Sequence, residues 1–207
     1  QGTYYPMGGF GKVIDGMVEL CKELGVRFYT NHEIINCSFV DQRINKVLTD
    51  SASFKSDYVI CGADYHHFDQ NILPKEYRNY SKKYWNNRSM SPSCLIYYLG
   101  IDIKLDNLEH HNLFFDNDIE QHTDDIYKNM KWPADPLFYA CCPSKTDPLV
   151  APKDKENLFL LMPISSGIID TDDLREKYFT KMIKRLEVYC GQKISDKILI
   201  KKSYCIN

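Results

Sequence analysis

The chain has no apolar run approaching the ~20 residues that a membrane-spanning helix requires. It also lacks a charged-then-apolar start of the signal-peptide kind. Both absences predict a cytoplasmic chain, or one lying at most on the periphery of a membrane. Among its eight cysteines there is no C-x-x-C pair, so neither a zinc ribbon nor a thioredoxin-type redox motif is indicated. G-x-S-x-G is missing, and so is G-x-x-x-x-G-K-[ST], which removes the common serine-hydrolase and P-loop classes. Charge of one sign is lacking too. The 26 basic and 28 acidic residues leave a net charge of −2, which gives no electrostatic reason to expect nucleic acid. No internal repeat, heptad array or low-complexity tract is visible.

What is present is ordinary globular composition in a length that allows one large domain or two small ones. The 207 residues are 43% hydrophobic and 26% charged, enough for a real core. Aromatic content is high, with 15 Tyr and 10 Phe. Tyrosine-rich strands account for that, and so would the wall of a pocket for a long apolar ligand. Most cysteines sit inside apolar runs such as Val59-Ile60-Cys61 and Ala140-Cys141-Cys142, where they behave as small buried hydrophobes. The ends are abrupt. Gln1-Gly2-Thr3 leads directly into a motif and Ser203-Tyr204-Cys205-Ile206-Asn207 stops at a strand exit, which reads as a piece of a longer protein.

Periodicity sets out the elements. After the turn Pro6-Met7-Gly8-Gly9-Phe10-Gly11, the stripe Val13, Met17, Leu20, Leu24 predicts a helix ended by Gly25. Strands are expected at Val26–Tyr29 and around Ile34–Val40, with a meander through Arg43–Thr49 and Ser53–Lys55. Tyr58-Val59-Ile60-Cys61 reads as a fully buried strand. It runs into Gly62-Ala63-Asp64 and a short helix over Tyr65–Asn71. The polar, aromatic stretch from Pro74 to Arg88 marks a boundary between structural regions. Beyond it come strands at Leu95–Leu99 and His111–Phe115, a helix at Ile119–Asn129, and strands at Leu137–Cys142 and Leu158–Met162. A long helix follows Thr171, with Phe179, Ile183, Leu186 and Cys190 as its buried stripe and Gly191 as its stop. Ile198–Lys202 is the last strand. The order predicts an α+β fold with mixed sheets.

Five stretches invite a chemical reading. Gly8-Gly9-Phe10-Gly11 before a helix could hold phosphate on free N–H groups, yet no strand precedes it and the third glycine of a dinucleotide fingerprint is absent. Gly62-Ala63-Asp64 would let a ligand approach the backbone closely, or Asp64 simply caps a helix. The pairs His66-His67 and His110-His111 do not predict a metal site, because neighbours in an extended segment point to opposite faces. Asp124–Trp132 (DDIYKNMKW) is either an ordinary surface helix or an interfacial one with Trp132 at headgroup depth.

The most specific wording is Asp135–Pro163, DPLFYACCPSKTDPLVAPKDKENLFLLMP. Physically it is two strands joined by a proline-stiffened link. It resembles the bacterial-type phytoene desaturases, flavoproteins that dehydrogenate carotenoids, in which the segment reads "DPS-[apolar]-PSRTDPS-APxGxxxLYVLVP". Lys145 stands where that family has arginine, and Asp154-Lys155 where it has glycine. Tyr5-Pro6-Met7-Gly8-Gly9 with Leu24-Gly25-Val26 and Asn31-His32-Glu33-Ile34 matches a second family segment. Cys61-Gly62-Ala63-Asp64 approximates its "VVSNAD", with Gly in place of Asn. Ser91-Pro92-Ser93-Cys94 to Gly100 and His110-His111-Asn112 match as well.

The resemblance implies an FAD-dependent oxidoreductase that removes hydride from a polyene C–C bond. It implies that residues 1–73 form part of an α/β FAD-binding domain and 74–207 part of a mixed-sheet substrate domain. Ile34 would meet the adenine end of FAD, with Ala63 and Asp64 near the cofactor. Leu137, Tyr139, Leu161 and Met162 would line the path of a long apolar polyene, with peripheral membrane contact and no nucleic-acid partner. No catalytic acid or base is indicated. Because the family's G-x-G-x-x-G unit and C-terminal flavin segment are not in this sequence, the isolated chain is expected to bind FAD weakly or not at all and to have no turnover. A retinol-saturase-like reductase, a carotenoid isomerase or a ketolase would share these motifs, and a non-catalytic apolar-ligand or partner-binding module is the other alternative.

Overall fold

A computed structural model describes residues 4–206; the expectations for residues 1–3 and 207 lie outside them. In chain order the elements are α1 (Gly11–Glu23), β1 (Ile34–Val40), β2 (Arg43–Thr49), β3 (Ser53–Lys55), α2 (Tyr65–His67), α3 (Lys82–Asn86), β4 (Ser93–Ile101), β5 (His111–Phe114), α4 (Ile119–Tyr127), β6 (Phe138–Cys141), β7 (Glu156–Ile164), α5 (Asp172–Cys190) and β8 (Ile198–Tyr204). The chain divides into two compact units, Gln1–Leu20 with Met90–Asn207, and Cys21–Ser89.

The first unit is built on period-two alternation. Leu95, Tyr97, Leu99 and Ile101 of β4 are buried, as are Leu158, Leu160, Met162 and Ile164 of β7. The two strands run antiparallel with Leu95 opposite Met162 and Leu99 opposite Leu158, so their apolar sets share one face. The sheet has five strands in the order β5-β6-β7-β4-β8, and every pairing is antiparallel. The expected α+β class is seen, whereas the mixed sheet is not, since each strand's neighbours run in the opposite sense.

Helix α5 closes the buried face. Thr171 caps it by accepting from Leu174 N–H, with Asp172 and Asp173 at the positive end of the dipole. Gly191, at φ 65°, ends it in the left-handed conformation that glycine adopts without a Cβ clash. Its predicted stripe, Phe179, Ile183, Leu186 and Cys190, packs with Met182 into the sheet's core. Each such side chain contributes roughly 1.5–3 kcal/mol by leaving water.

The second unit is a three-stranded antiparallel meander, β1-β2-β3. Asp41 and Gln42, both at positive φ, form the two-residue turn between Val40 and Arg43. Its apolar core is Cys37, Ile72 and Leu73, with Phe39, Val47 and Phe68 against it. Beside it stands a buried carboxylate. Asp69 accepts from Asn79 N–H at 2.8 Å, Trp85 Nε1–H at 3.1 Å and Gln70 Nε2 at 2.6 Å. Burial alone would raise its pKa; these donors outweigh that and hold it below the usual carboxylate range.

Two expected strands do not form here. Val26–Tyr29 joins no strand pairing, and Tyr58–Cys61 is neither paired nor buried, Ile60 being 97% exposed. A fully buried strand needs neighbours at both edges and layers on both faces, which the described residues of the second unit do not provide.

Candidate functional site

The motif Ser144-Lys145-Thr146-Asp147 occupies the bend between β6 and β7, and each of its side chains has a defined task. Ser144 Oγ donates to Glu156 Oε2 at 2.5 Å and accepts from Asn157 N–H at 3.0 Å. Lys145 Nζ lies 3.0 Å from Glu156 Oε1 and donates to Leu105 C=O at 2.5 Å. Burial alone would raise Glu156; the hydrogen bonds from Ser144 and Lys145, then the charges of Lys145 and Lys104, keep it ionised below the usual range. Thr146 Oγ1 is 2.7 Å from His110 Nδ1. Asp147, fully buried, accepts from Leu149 N–H at 2.9 Å and from Gly8 N–H at 2.5 Å.

That last bond joins two segments 139 positions apart in the sequence. Gly8 and Gly9 sit at φ 87° and 86°, and a Cβ on Gly8 would come 2.8 Å from Lys12 Cγ. Only glycine suits the turn. Its N–H is taken by Asp147, so this is an internal clasp and not a phosphate cradle. Tyr5 of the same segment meets the ring of His110 edge-on, at 4.8 Å between centroids.

The sheet face turned away from α5 carries one aromatic group from every strand. Tyr204 of β8 contacts Tyr98 of β4 at 5.9 Å, and Tyr98 contacts Phe159 of β7 at 5.2 Å. Phe159 contacts Tyr139 of β6 at 6.2 Å, and Tyr139 lies 5.9 Å from His111 of β5. Four strand spacings of ~4.8 Å make this row about 19 Å long. Leu161 is the direct cross-strand partner of Tyr139 and adds aliphatic surface beside it. A flat, elongated, apolar molecule is the shape such a row suits.

The row ends in a polar cluster. His111 Nδ1 lies 2.5 Å from the Tyr139 hydroxyl and 4.0 Å from Cys141 Sγ. Burial raises the Tyr139 phenol and the Cys141 thiol. Burial, then the neighbouring His111, lowers His110. The opposite-faces argument for neighbouring histidines fails at this pair. The strand begins at His111 and His110 stands on the bend before it, so the two rings lie 4.3 Å apart. With the strand starting at His111, as expected, His110 lies outside it and the alternation of faces does not apply to the pair.

The four residues expected to line a polyene path divide. Tyr139 and Leu161 are cross-strand partners on the face turned away from α5. Met162, 0% exposed, belongs to the core under α5, and Leu137, 3% exposed, is buried with its N–H donating to His122 Nδ1 of α4 at 3.0 Å. Leu161 and Met162 are adjacent in a strand, so one of them had to face the other way.

In the second unit Ile34 borders a concave pocket of about 260 Å³ with Tyr29, His32, Val47, Thr49 and Phe54. Tyr29 and His32 approach Phe54 at 4.8 and 5.6 Å. The pocket is smaller than the ~300–1,000 Å³ of whole-ligand sites and suits one flat ring system. Ala63 and Asp64 do not line it. Asp64 is the N-cap of α2, accepting from His67 N–H at 2.7 Å. Trp132, the residue an interfacial helix would place at headgroup depth, donates to Ile169 C=O at 2.8 Å and stacks on Tyr178. Among the described residues no helix is long and apolar enough to cross a membrane.

No family model matches the chain. Individual proteins do. The carotenoid 3,4-desaturase of Haloarcula japonica is 37% identical over 206 residues, covering 100% of this chain and 42% of the relative. The phytoene desaturase of Fusarium fujikuroi is 31% identical over 176 residues, covering 83% of this chain and 30% of the relative. The 4,4'-diapophytoene desaturase of Staphylococcus haemolyticus is 32% identical over 183 residues, covering 84% and 36%. Among solved structures, an oxidoreductase from Methanosarcina mazei superposes with a TM-score of 0.65 at 16% identity, over 97% of this chain and 43% of its own. At that identity the likeness is one of fold. The chain is thus a homologue of the carotenoid and phytoene desaturases, matching a part of each that is less than half its length.

Proposed function

We propose that this chain forms the substrate-facing sheet and a portion of the cofactor-binding region of an FAD-dependent carotenoid desaturase. The observation that carries the reading is the aromatic row Tyr204–Tyr98–Phe159–Tyr139–His111 across all five strands, in a chain whose relatives bear carotenoid desaturase names. Flavin, when bound, would supply the hydride acceptor for oxidising a polyene C–C bond. The chain's own residues would do the remainder. Tyr98, Phe159, Tyr139 and Leu161 would align the polyene by contact with its flat faces and exclude water from it. Ile34, with the aromatic walls of its pocket, fits the adenine end of FAD; the Asp64 carboxylate, occupied as a helix cap, does not. Residues 1–73 and 74–207 would contribute to cofactor and substrate regions respectively.

The test is product analysis of the full-length protein in cells that accumulate phytoene. Desaturated products are expected, and Phe159→Ala should lower their yield at least about tenfold while leaving flavin content unchanged. Isomerised, reduced or oxygenated products with no new double bond would overturn the desaturase reading. The isolated chain should retain little or no flavin through gel filtration; stoichiometric retention would contradict that.

A further inference from the structure

We propose that His110, His111 and Cys141 form a binding site for a borderline divalent metal ion of the zinc type, at the β5–β6 end of the aromatic face. One potential ligand atom from each residue lies within 4.8 Å of the other two. Tetrahedral zinc, with bonds of about 2.0–2.1 Å to nitrogen and 2.3 Å to sulfur, holds its ligand atoms roughly 3.3–3.6 Å apart. The difference is within reach of side-chain rotation.

The backbone explains how three such groups converge. His111 and Cys141 are directly opposed across the β5–β6 pair, which sets their side chains on one face at cross-strand contact distance. Cys142 N–H donates to His110 C=O at 2.8 Å, fixing the bend that turns the His110 ring beside its neighbour. Both imidazoles already have one nitrogen held by a hydroxyl, His110 Nδ1 by Thr146 and His111 Nδ1 by Tyr139. Hydroxyl or carbonyl partners of this kind orient ligating histidines in metal sites. Two imidazoles and one thiolate suit zinc or cobalt better than calcium or magnesium, which take oxygen ligands. His111 is exposed, so an ion has an entry path, and three protein ligands leave a fourth position open for water or an external ligand.

The test uses the full chain, stripped with chelator and kept reduced, titrated with Co²⁺ as the spectroscopic probe. A saturable one-to-one signal with thiolate-to-cobalt charge-transfer absorption is expected, and Zn²⁺ should displace it. Cys141→Ser should abolish the charge-transfer band. His110→Ala and His111→Gln should each weaken binding at least about tenfold, and Thr146→Val by about tenfold through loss of the orienting hydroxyl. The exposed His111 position keeps the test valid if the Cys141 variant does not fold. Absence of saturable binding would overturn the proposal. So would a charge-transfer band that survives Cys141→Ser or disappears in Cys61→Ser, or unchanged affinity in both histidine variants.

Discussion

The two units of this chain solve the problem of holding an antiparallel sheet in different ways. The first buries a continuous apolar layer in which β4, β7 and α5 interlock through fully buried residues such as Tyr97, Leu160, Met182 and Leu186. The second has three buried apolar residues, Cys37, Ile72 and Leu73, and gathers Asn79, Trp85 and Gln70 around the Asp69 carboxylate. Apolar burial is non-directional and tolerates volume-conserving change. A buried carboxylate is directional, and loses most when one partner is removed. The units should therefore fail differently under substitution.

The largest contrast is in cavity formation. Leu186→Ala should cost the first unit about 3–4 kcal/mol, as large-to-small changes at well-packed sites do. Ile72→Ala, beside a smaller cluster and still 9% exposed, should cost about 2 kcal/mol or less. Denaturant unfolding followed by a probe in each unit measures both; equal losses would break the distinction. Next comes Asp69→Ala, which leaves the Asn79 and Trp85 donors without their acceptor and should cost about 2 kcal/mol. Amide exchange should accelerate at Asn79 and through α3 while β4 and β7 stay protected. Protection lost evenly over both units would show that they do not unfold separately.

Acid should separate the units as well. His122 in α4 is buried and accepts from Leu137 N–H at 3.0 Å. Burial lowers its pKa from the ordinary 6.5, against the smaller pulls of a hydrogen bond to the Pro163 backbone and then of Asp125. The unfolded chain therefore takes up this proton at higher pH than the folded one, so stability is present above about 6.5 and is lost as pH falls through the folded value. The depressed Asp69 acts lower. Its contribution holds above the ordinary carboxylate value of 3.8 and disappears only as pH drops through the folded one. On acidification the first unit should begin to weaken before the second. His122→Gln should shrink the early step and leave the part that the likewise lowered His110 contributes, which thermal melts at a series of pH values would detect.

How much could be read beforehand follows the same divide. In the first unit β4, β7 and α5 were legible because the alternation of the two strands is satisfied by a neighbour within the unit and α5 carries its own cap and stop. In the second, Val26–Tyr29 and Tyr58–Cys61 are apolar runs without such neighbours, and hydrophobicity alone does not make a ladder. The site shows a similar limit. Ser144-Lys145-Thr146-Asp147 was recognisable as wording, but the Asp147–Gly8 bond spans 139 positions, and no local pattern announces a contact of that range. The aromatic row was hidden for a related reason. Its members lie on five separate strands, and only the register aligns them.

The smallest effects expected are at two of the helix caps, Thr171 and Asp64, and the second bears on the cofactor reading as well. Thr171 caps a helix of 19 residues whose stripe is packed on the sheet, so losing its hydroxyl frees an orphan N–H in a structure that cannot let the helix go. Thr171→Ala should cost about 1 kcal/mol of global stability. Asp64 caps a helix of three residues with an exposed carboxylate, where the first turn can fray and water can replace the cap. Asp64→Ala should therefore cost less than about 0.5 kcal/mol. In the full-length protein the same substitution should leave flavin content unchanged, because its carboxylate is committed to His67 N–H. Loss of flavin with stability intact would move Asp64 from a capping role to the cofactor.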